Sequence, residues 1–127
     1  AYLFFAKPDA TMLQLYYPQR IADTFAPSTI VCSQCETVIA IGDHLGRIAL
    51  LRSGSTHATL ERVFQAHPTK TTTIRIISNP IHHTFILLTI GWTKSKQNEI
   101  KLWTYTHNEP PQCYISIPSG QRYICCA

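Results

Sequence analysis

Cys32-Ser33-Gln34-Cys35 sets two thiols at C-x-x-C spacing, the arrangement that elsewhere ligates zinc or carries redox chemistry. Zinc needs two more ligands, and the candidates His82-His83, Cys113 and Cys125-Cys126 follow with no matching spacing. A redox pair needs a helix after the motif to lower a thiol pKa. An apolar, strand-like run, Glu36 to Gly42, follows instead. Asp43 and His44, paired with Glu36 or Glu61, are the candidates for acid–base work. Turn propensity accounts for Asp43 without it. His67 as a general base lacks a recognisable nucleophile. The chain has no G-x-S-x-G, P-loop, H-E-x-x-H or dinucleotide fingerprint. The expectation is therefore not an enzyme, with no catalytic, cofactor-binding or metal residue, no cofactor and no small-molecule substrate.

The elements that would carry these residues read as strands. Thr, Ile, Val, Tyr and Phe cluster in short runs punctuated by Pro, Gly, Asn and Ser. Tyr2–Lys7 and Met12–Tyr17 come first. Thr29–Ser33, Glu36–Gly42, Arg47–Arg52 and Thr59–Phe64 follow, with Ile30 and Cys32 on one face and Val31 and Ser33 on the other. The second half gives Thr72–Ile77, Thr84–Ile90, Glu99–Tyr105 and Cys113–Ile117, with Asn108-Glu109-Pro110-Pro111 as a break. Only Ile21–Phe25 suits a helical turn.

The 127 residues suffice for one modest domain. Hydrophobic residues are 45% and charged residues 14%, which excludes a disordered polyelectrolyte. A mean hydropathy of -0.02 and no apolar run near 18 residues exclude a spanning helix. The net charge of +4 is scattered, so no nucleic-acid partner is expected. Lys94, Lys96 and Lys101 form one loose basic group, read as a solvated hairpin loop rather than an acidic-membrane site. Five cysteines without framework spacing, and no signal peptide, suggest a reducing location. The absent initiating Met and the Cys125-Cys126-Ala127 ending suggest a piece of a longer chain.

Four strands lie between Thr29 and Phe64 and four more between Thr72 and Ile117. Val38–Gly42 aligns with Leu87–Gly91 at an offset of 49, and Ile48–Leu50 with Ile100–Leu102 at 52, the extra residues falling in the lysine loop. Four strands per 40–50 residues is the period of β-propeller blades. The expected fold is all-β: an incomplete WD40-like propeller of about two four-stranded antiparallel blades plus an entering strand. As one partial domain over 1–127, it divides into entering strands at 1–25, a first blade at 26–66, a second at 67–118 and the start of the next element at 119–127. His67 stands where WD-type repeats place the histidine of a structural hydrogen-bond network, after Ala66 rather than glycine. Thr104 replaces the aspartate usual after the late tryptophan, and Trp103 reads as an aromatic between blades. Exposed strand edges would leave such a fragment prone to aggregation or loose folding.

The order of motifs resembles a known family. Tyr2–Lys7, then Ile30–Ser33, Val38–Asp43, Gly46-Arg47-Ile48, Val63-Phe64-Gln65-Ala66-His67, Leu87–Gly91, Ile100-Lys101-Leu102-Trp103 and Cys113 are similar to the amino-terminal propeller of the vacuolar protein sorting subunit eleven family, of the HOPS and CORVET tethering core. The insertion at Thr93–Asn98 is basic here, where an acidic stretch would be usual in that family. The resemblance implies a non-enzymatic interaction scaffold in vesicle tethering, protein transport and membrane fusion. It also implies other tethering subunits as partners, and a cytoplasmic location, peripheral on endosome, lysosome or vacuole membranes through those partners. The family's zinc module lies outside this stretch, so no metal ligand carries over. The alternatives are a WD-type adaptor in another process and a small Cys-based metal-binding β domain built on Cys32 and Cys35.

Overall fold

The computed structural model describes residues 2–3, 19–20, 25–34, 37–54, 58–79 and 81–118. Among them every element is a strand. β1 (Tyr2–Leu3) pairs antiparallel with β2 (Gln19–Arg20). β3 (Pro27–Cys32), β4 (Val38–Asp43), β5 (Arg47–Ser53) and β6 (Ala58–Gln65) form one antiparallel meander in chain order. β7 (Thr71–Asn79), β8 (Thr84–Trp92), β9 (Asn98–Thr106) and β10 (Glu109–Pro118) form a second. The protein is all-β, as its runs of β-branched and aromatic residues require. The expected strand at Met12–Tyr17 and residues 21–24 of the helical turn expected at Ile21–Phe25 lie outside the described residues.

One break was misplaced. Pro110 and Pro111 belong to β10, and the turn falls at His107-Asn108. A proline lacks the N–H that a central strand needs, yet β10 is an edge of its sheet. The ladder shifts register between Glu109 and Gln112, where the two prolines sit.

The two sheets stack on their side chains. Val38 and Ala40 of β4, with Ile48 and Leu50 of β5, meet Ile74, Phe85, Leu87, Trp103 and Tyr105 of the second sheet in one buried cluster. Full burial of each aliphatic side chain contributes about 1.5–3 kcal/mol. The first sheet's other face carries Ile39, Ile41, Ala49 and Leu51 and is buried with Phe25. Covered on both sides, β4 is buried along its whole length, hence its continuous apolar run. The first strands β3 and β7 are drawn together where the Ser28 hydroxyl donates to the Thr71 carbonyl at 2.5 Å. Gly42 permits the approach, since a Cβ there would lie 2.7 Å from Thr71 Cγ2.

The register corrects the repeat. Gly42 pairs with Ile48 and Trp92 with Asn98, so both hairpins have five-residue loops and the offset is 50 (92 − 42 and 98 − 48). No residues are inserted in the lysine loop. Asp43 and Thr93 hold corresponding turns: Asp43 accepts from the Arg47 N–H at 2.7 Å and the Thr93 hydroxyl from the Gln97 N–H at 3.2 Å. Gly46 (φ 81°) and Lys96 (φ 60°) share the left-handed conformation, again 50 apart. The difference from 49 matters, because strand side chains alternate and an odd slip sends each to the opposite face.

Gly46 also lies under the link between the sheets. Its carbonyl accepts from the N–H groups of Ala66 and His67 at 2.9 and 3.0 Å, and a Cβ would stand 2.0 Å from the His67 carbonyl oxygen. Gly46→Ala combines a left-handed alanine with a backbone clash. It is expected to cost about 2–4 kcal/mol in urea unfolding, and an unchanged midpoint would contradict this packing.

Candidate functional site

A polar chain runs through the seam between the sheets. The Trp103 indole N–H donates to the Thr89 hydroxyl at 3.0 Å, and that hydroxyl lies 2.8 Å from His67 Nε2. His67 Nδ1 lies 3.2 Å from a Glu99 carboxylate oxygen. Lys101 Nζ reaches the same carboxylate at 2.9 Å and the Ala66 carbonyl at 2.8 Å. One proton arrangement satisfies every group: Trp103 donates to Thr89, Thr89 to Nε2, and Nδ1–H to Glu99. His67 and Thr89 are fully buried. Burial holds the His67 pKa down to about 4, against the opposing pull of Glu99 and aided by the Lys101 charge. The imidazole is thus neutral at pH 7, and the Thr89 hydroxyl that it faces is fully buried and accepts from the Trp103 indole.

Local sequence explains the seat. Gly91 has no side chain because the His67 ring fills that space; a Cβ would approach its Cγ to 2.2 Å. Trp103 also packs edge-on against Phe64 of the first sheet, ring centroids 5.0 Å apart. The sequence located His67 and the inter-sheet role of Trp103 but missed Thr89 and Glu99. A threonine inside Phe85-Ile86-Leu87-Leu88-Thr89-Ile90-Gly91 was the available signal, since a buried hydroxyl in an apolar run demands a partner. Lys101 leaves the solvated lysine group; Lys94 and Lys96 stay exposed in the 93–97 hairpin.

The other candidates separate. The buried Asp43 carboxylate is taken up by its own turn, accepting from the Leu45 N–H at 3.0 Å and ion-pairing with Arg47 at 2.6 Å. Glu61 accepts from the Tyr105 hydroxyl, lies 3.0 Å from His107 Nδ1 and pairs with Arg52 at 2.7 Å. An open cleft of about 590 Å³ beside it is lined by Arg52, His82, His83, His107 and Glu109. Glu36, Cys35, Cys125 and Cys126 lie outside the described residues, while Cys32 and Cys113 are on exposed strand positions. Among the described residues no group of three or more His, Cys, Asp or Glu side chains is placed to hold a metal ion. Among them, too, no helix is long and apolar enough to cross a membrane.

The most conspicuous surface is the second sheet's far face. Ladder pairs Leu88–Leu102 and Ile90–Ile100 continue into Leu102–Ile115 and Ile100–Ile117, and Ile77 pairs with Ile86. Directly opposed residues share a face. Ile77 is 62% exposed, Ile117 50% and Ile115 39%, while Ile86, Leu88, Ile100 and Leu102 are half-buried. At the offset of 50, Leu88, Ile90 and Ile100 correspond to Val38, Ala40 and Leu50, which the second sheet buries completely. Arg75, paired with Leu88, interrupts this face and Ile90 on it is buried, and a partly exposed apolar face of this kind is a candidate interaction site. No protein-family model matches this chain, and no curated protein matches it.

Proposed function

We propose that the chain is a two-blade portion of a WD-type β-propeller acting as a non-enzymatic protein-interaction scaffold, in the tethering of endosomal, lysosomal or vacuolar membranes. The observation that carries the scaffold reading is the repeated meander: two four-stranded units 50 residues apart, first strands drawn together, with an apolar face left open on the second. The buried His67–Thr89–Trp103 chain supports it, being the kind of hydrogen-bond network that WD-type repeats build around the histidine at this junction. The tethering reading rests on the sequence resemblance described above. Its mechanism is geometric: rigid sheets present faces and loops to partner subunits, and no bond is made or broken. Membrane association is through those partners, on the cytoplasmic side.

The test is binding of the purified chain to purified HOPS and CORVET core subunits by analytical ultracentrifugation. Co-sedimentation with at least one subunit is the expected result. No association with any of them at tens of micromolar overturns the tethering reading.

A further inference from the structure

β9 runs from Glu99, beside His67, to Tyr105, beside Glu61. The open cleft of about 590 Å³ therefore lies at the far end of the seam, about 20 Å from the buried histidine. Its volume is that of a small-molecule site. Charged and titratable groups reach it from every neighbouring element: Arg52 from β5, Glu61 from β6, His82 and His83 from the β7–β8 turn, His107 and Glu109 from around the β9–β10 turn. The Glu61 carboxylate is taken up by the Tyr105 hydroxyl, by His107 Nδ1 at 3.0 Å and by Arg52 Nε at 2.7 Å. The donors of the cleft are not. The rings of His82 and His83 and the Asn108 amide have no hydrogen-bond or ion-pair partner among the described residues. His107 is held against the rings of Phe85 and Tyr105, at 5.3 and 5.8 Å, and with Nδ1 on Glu61 it has Nε2 left for a ligand.

We propose that this cleft binds a phosphate-bearing anion, with uptake of protons by its histidines. With neutral imidazoles the cleft does not attract an anion, because Glu61 offsets Arg52 and Glu109 stands unpaired. Neutral His107, with its Nδ1–H on Glu61, turns a lone pair at Nε2 towards any ligand. Protonation reverses both effects: every ring nitrogen becomes a donor, and the balance of charge in the cleft becomes positive. Imidazole gains its charge between pH 8 and 5, so affinity rises on acidification. Phosphate oxygens then accept charge-assisted hydrogen bonds from the imidazolium and guanidinium groups. No three His, Cys, Asp or Glu side chains among the described residues are grouped to share a metal ion. The spread donors suit instead a ligand with several separated acceptor oxygens. Soluble oligophosphates and phosphorylated lipid headgroups share this chemistry. The proposal rests on neither the blade reading nor the tethering reading.

The experiment is isothermal titration calorimetry of the full chain with pyrophosphate at about pH 6 and about pH 8. Saturable binding is expected, about tenfold or more tighter at the lower pH, with a heat that varies with the ionisation enthalpy of the buffer. Acid lowers the charge of pyrophosphate itself, so a rise in affinity must come from the protein. His83→Gly tests the site without unfolding it, because His83 holds a left-handed backbone, φ 51°, that glycine adopts freely. Its melting midpoint is expected to move by no more than about 3 °C, and its affinity at the lower pH to fall about fivefold or more. Glu109→Gln removes the opposing charge and is expected to tighten binding. Lys94→Glu, at the other end of the seam, is expected to leave it unchanged. No saturable heat at the lower pH overturns the proposal, and equal affinity at both pH values overturns the proton coupling. Loss of binding with Lys94→Glu but not with His83→Gly places the anion on the lysine hairpin and also overturns it. Phosphatidylcholine vesicles with and without phosphatidylinositol phosphate identify the source. Sedimentation with the phosphorylated vesicles alone, displaced by pyrophosphate, supports a lipid headgroup; pyrophosphate binding without vesicle binding supports a soluble ligand.

Discussion

Trp103→Ala is expected to destabilise the protein by about 3–5 kcal/mol, the range for removing a large buried aromatic. Trp103 joins the sheets in two ways: its ring packs edge-on against Phe64, and its N–H donates to Thr89. Truncation opens a cavity in the seam and leaves the Thr89 hydroxyl short of a donor. Trp103→Phe separates the contributions, because it keeps much of the ring and loses the N–H. It is expected to cost about 1–2 kcal/mol. Urea unfolding followed by far-ultraviolet circular dichroism measures both. A cost below about 1 kcal/mol for Trp103→Ala would show that the ring does not lie in the seam.

The second large effect is acid destabilisation through His67. Its pKa is about 4 in the folded protein against an ordinary 6.5. Between these values the unfolded chain binds the proton and the folded chain does not, so protons favour unfolding and stability rises with pH. The contribution is fully present above about pH 6.5 and is lost as pH falls towards 4. It amounts to roughly 3 kcal/mol, with a slope near 1.4 kcal/mol per pH unit within the window. His67→Gln keeps hydrogen-bonding capacity without titrating and is expected to flatten this segment of the stability profile. The carboxylate of Glu99 raises the His67 pKa and the ammonium of Lys101 lowers it, so these neighbours shift the midpoint rather than the sign. A wild-type profile as flat as that of His67→Gln would place His67 in water.

The strands were legible because each is a short run of β-branched and aromatic residues closed by a turn former, and that pattern is local. Thr84–Ile90 extends by two residues to Trp92, while Cys113–Ile117 grows to include three prolines, Pro110, Pro111 and Pro118, on an edge strand. Which face each residue occupies was less legible, because it depends on register. Aligning Gly42 with Gly91 is natural on identity, yet the glycines serve opposite faces: Gly42 admits Thr71 of the next sheet, Gly91 admits the ring of His67. The polar chain was half legible. His67 announced itself by its place between the units, whereas Glu99 becomes its partner only through pairing with Gly91 across β8 and β9. The Glu61 cluster was invisible in sequence because it joins β6 to Tyr105 and His107, more than 40 residues away, across the sheet interface.

The most direct test of the central claim, that the two meanders stack as successive repeat units through the Trp103 seam, is a nuclear Overhauser spectrum of the labelled chain. Cross-peaks between the Trp103 and Phe64 rings, and from the Ala40 and Leu50 methyls to the Leu87 and Phe85 side chains, are the expected result, because these groups share one buried cluster. Strong contacts within each sheet with none between them would contradict it, leaving two separate meanders rather than successive units of a repeat.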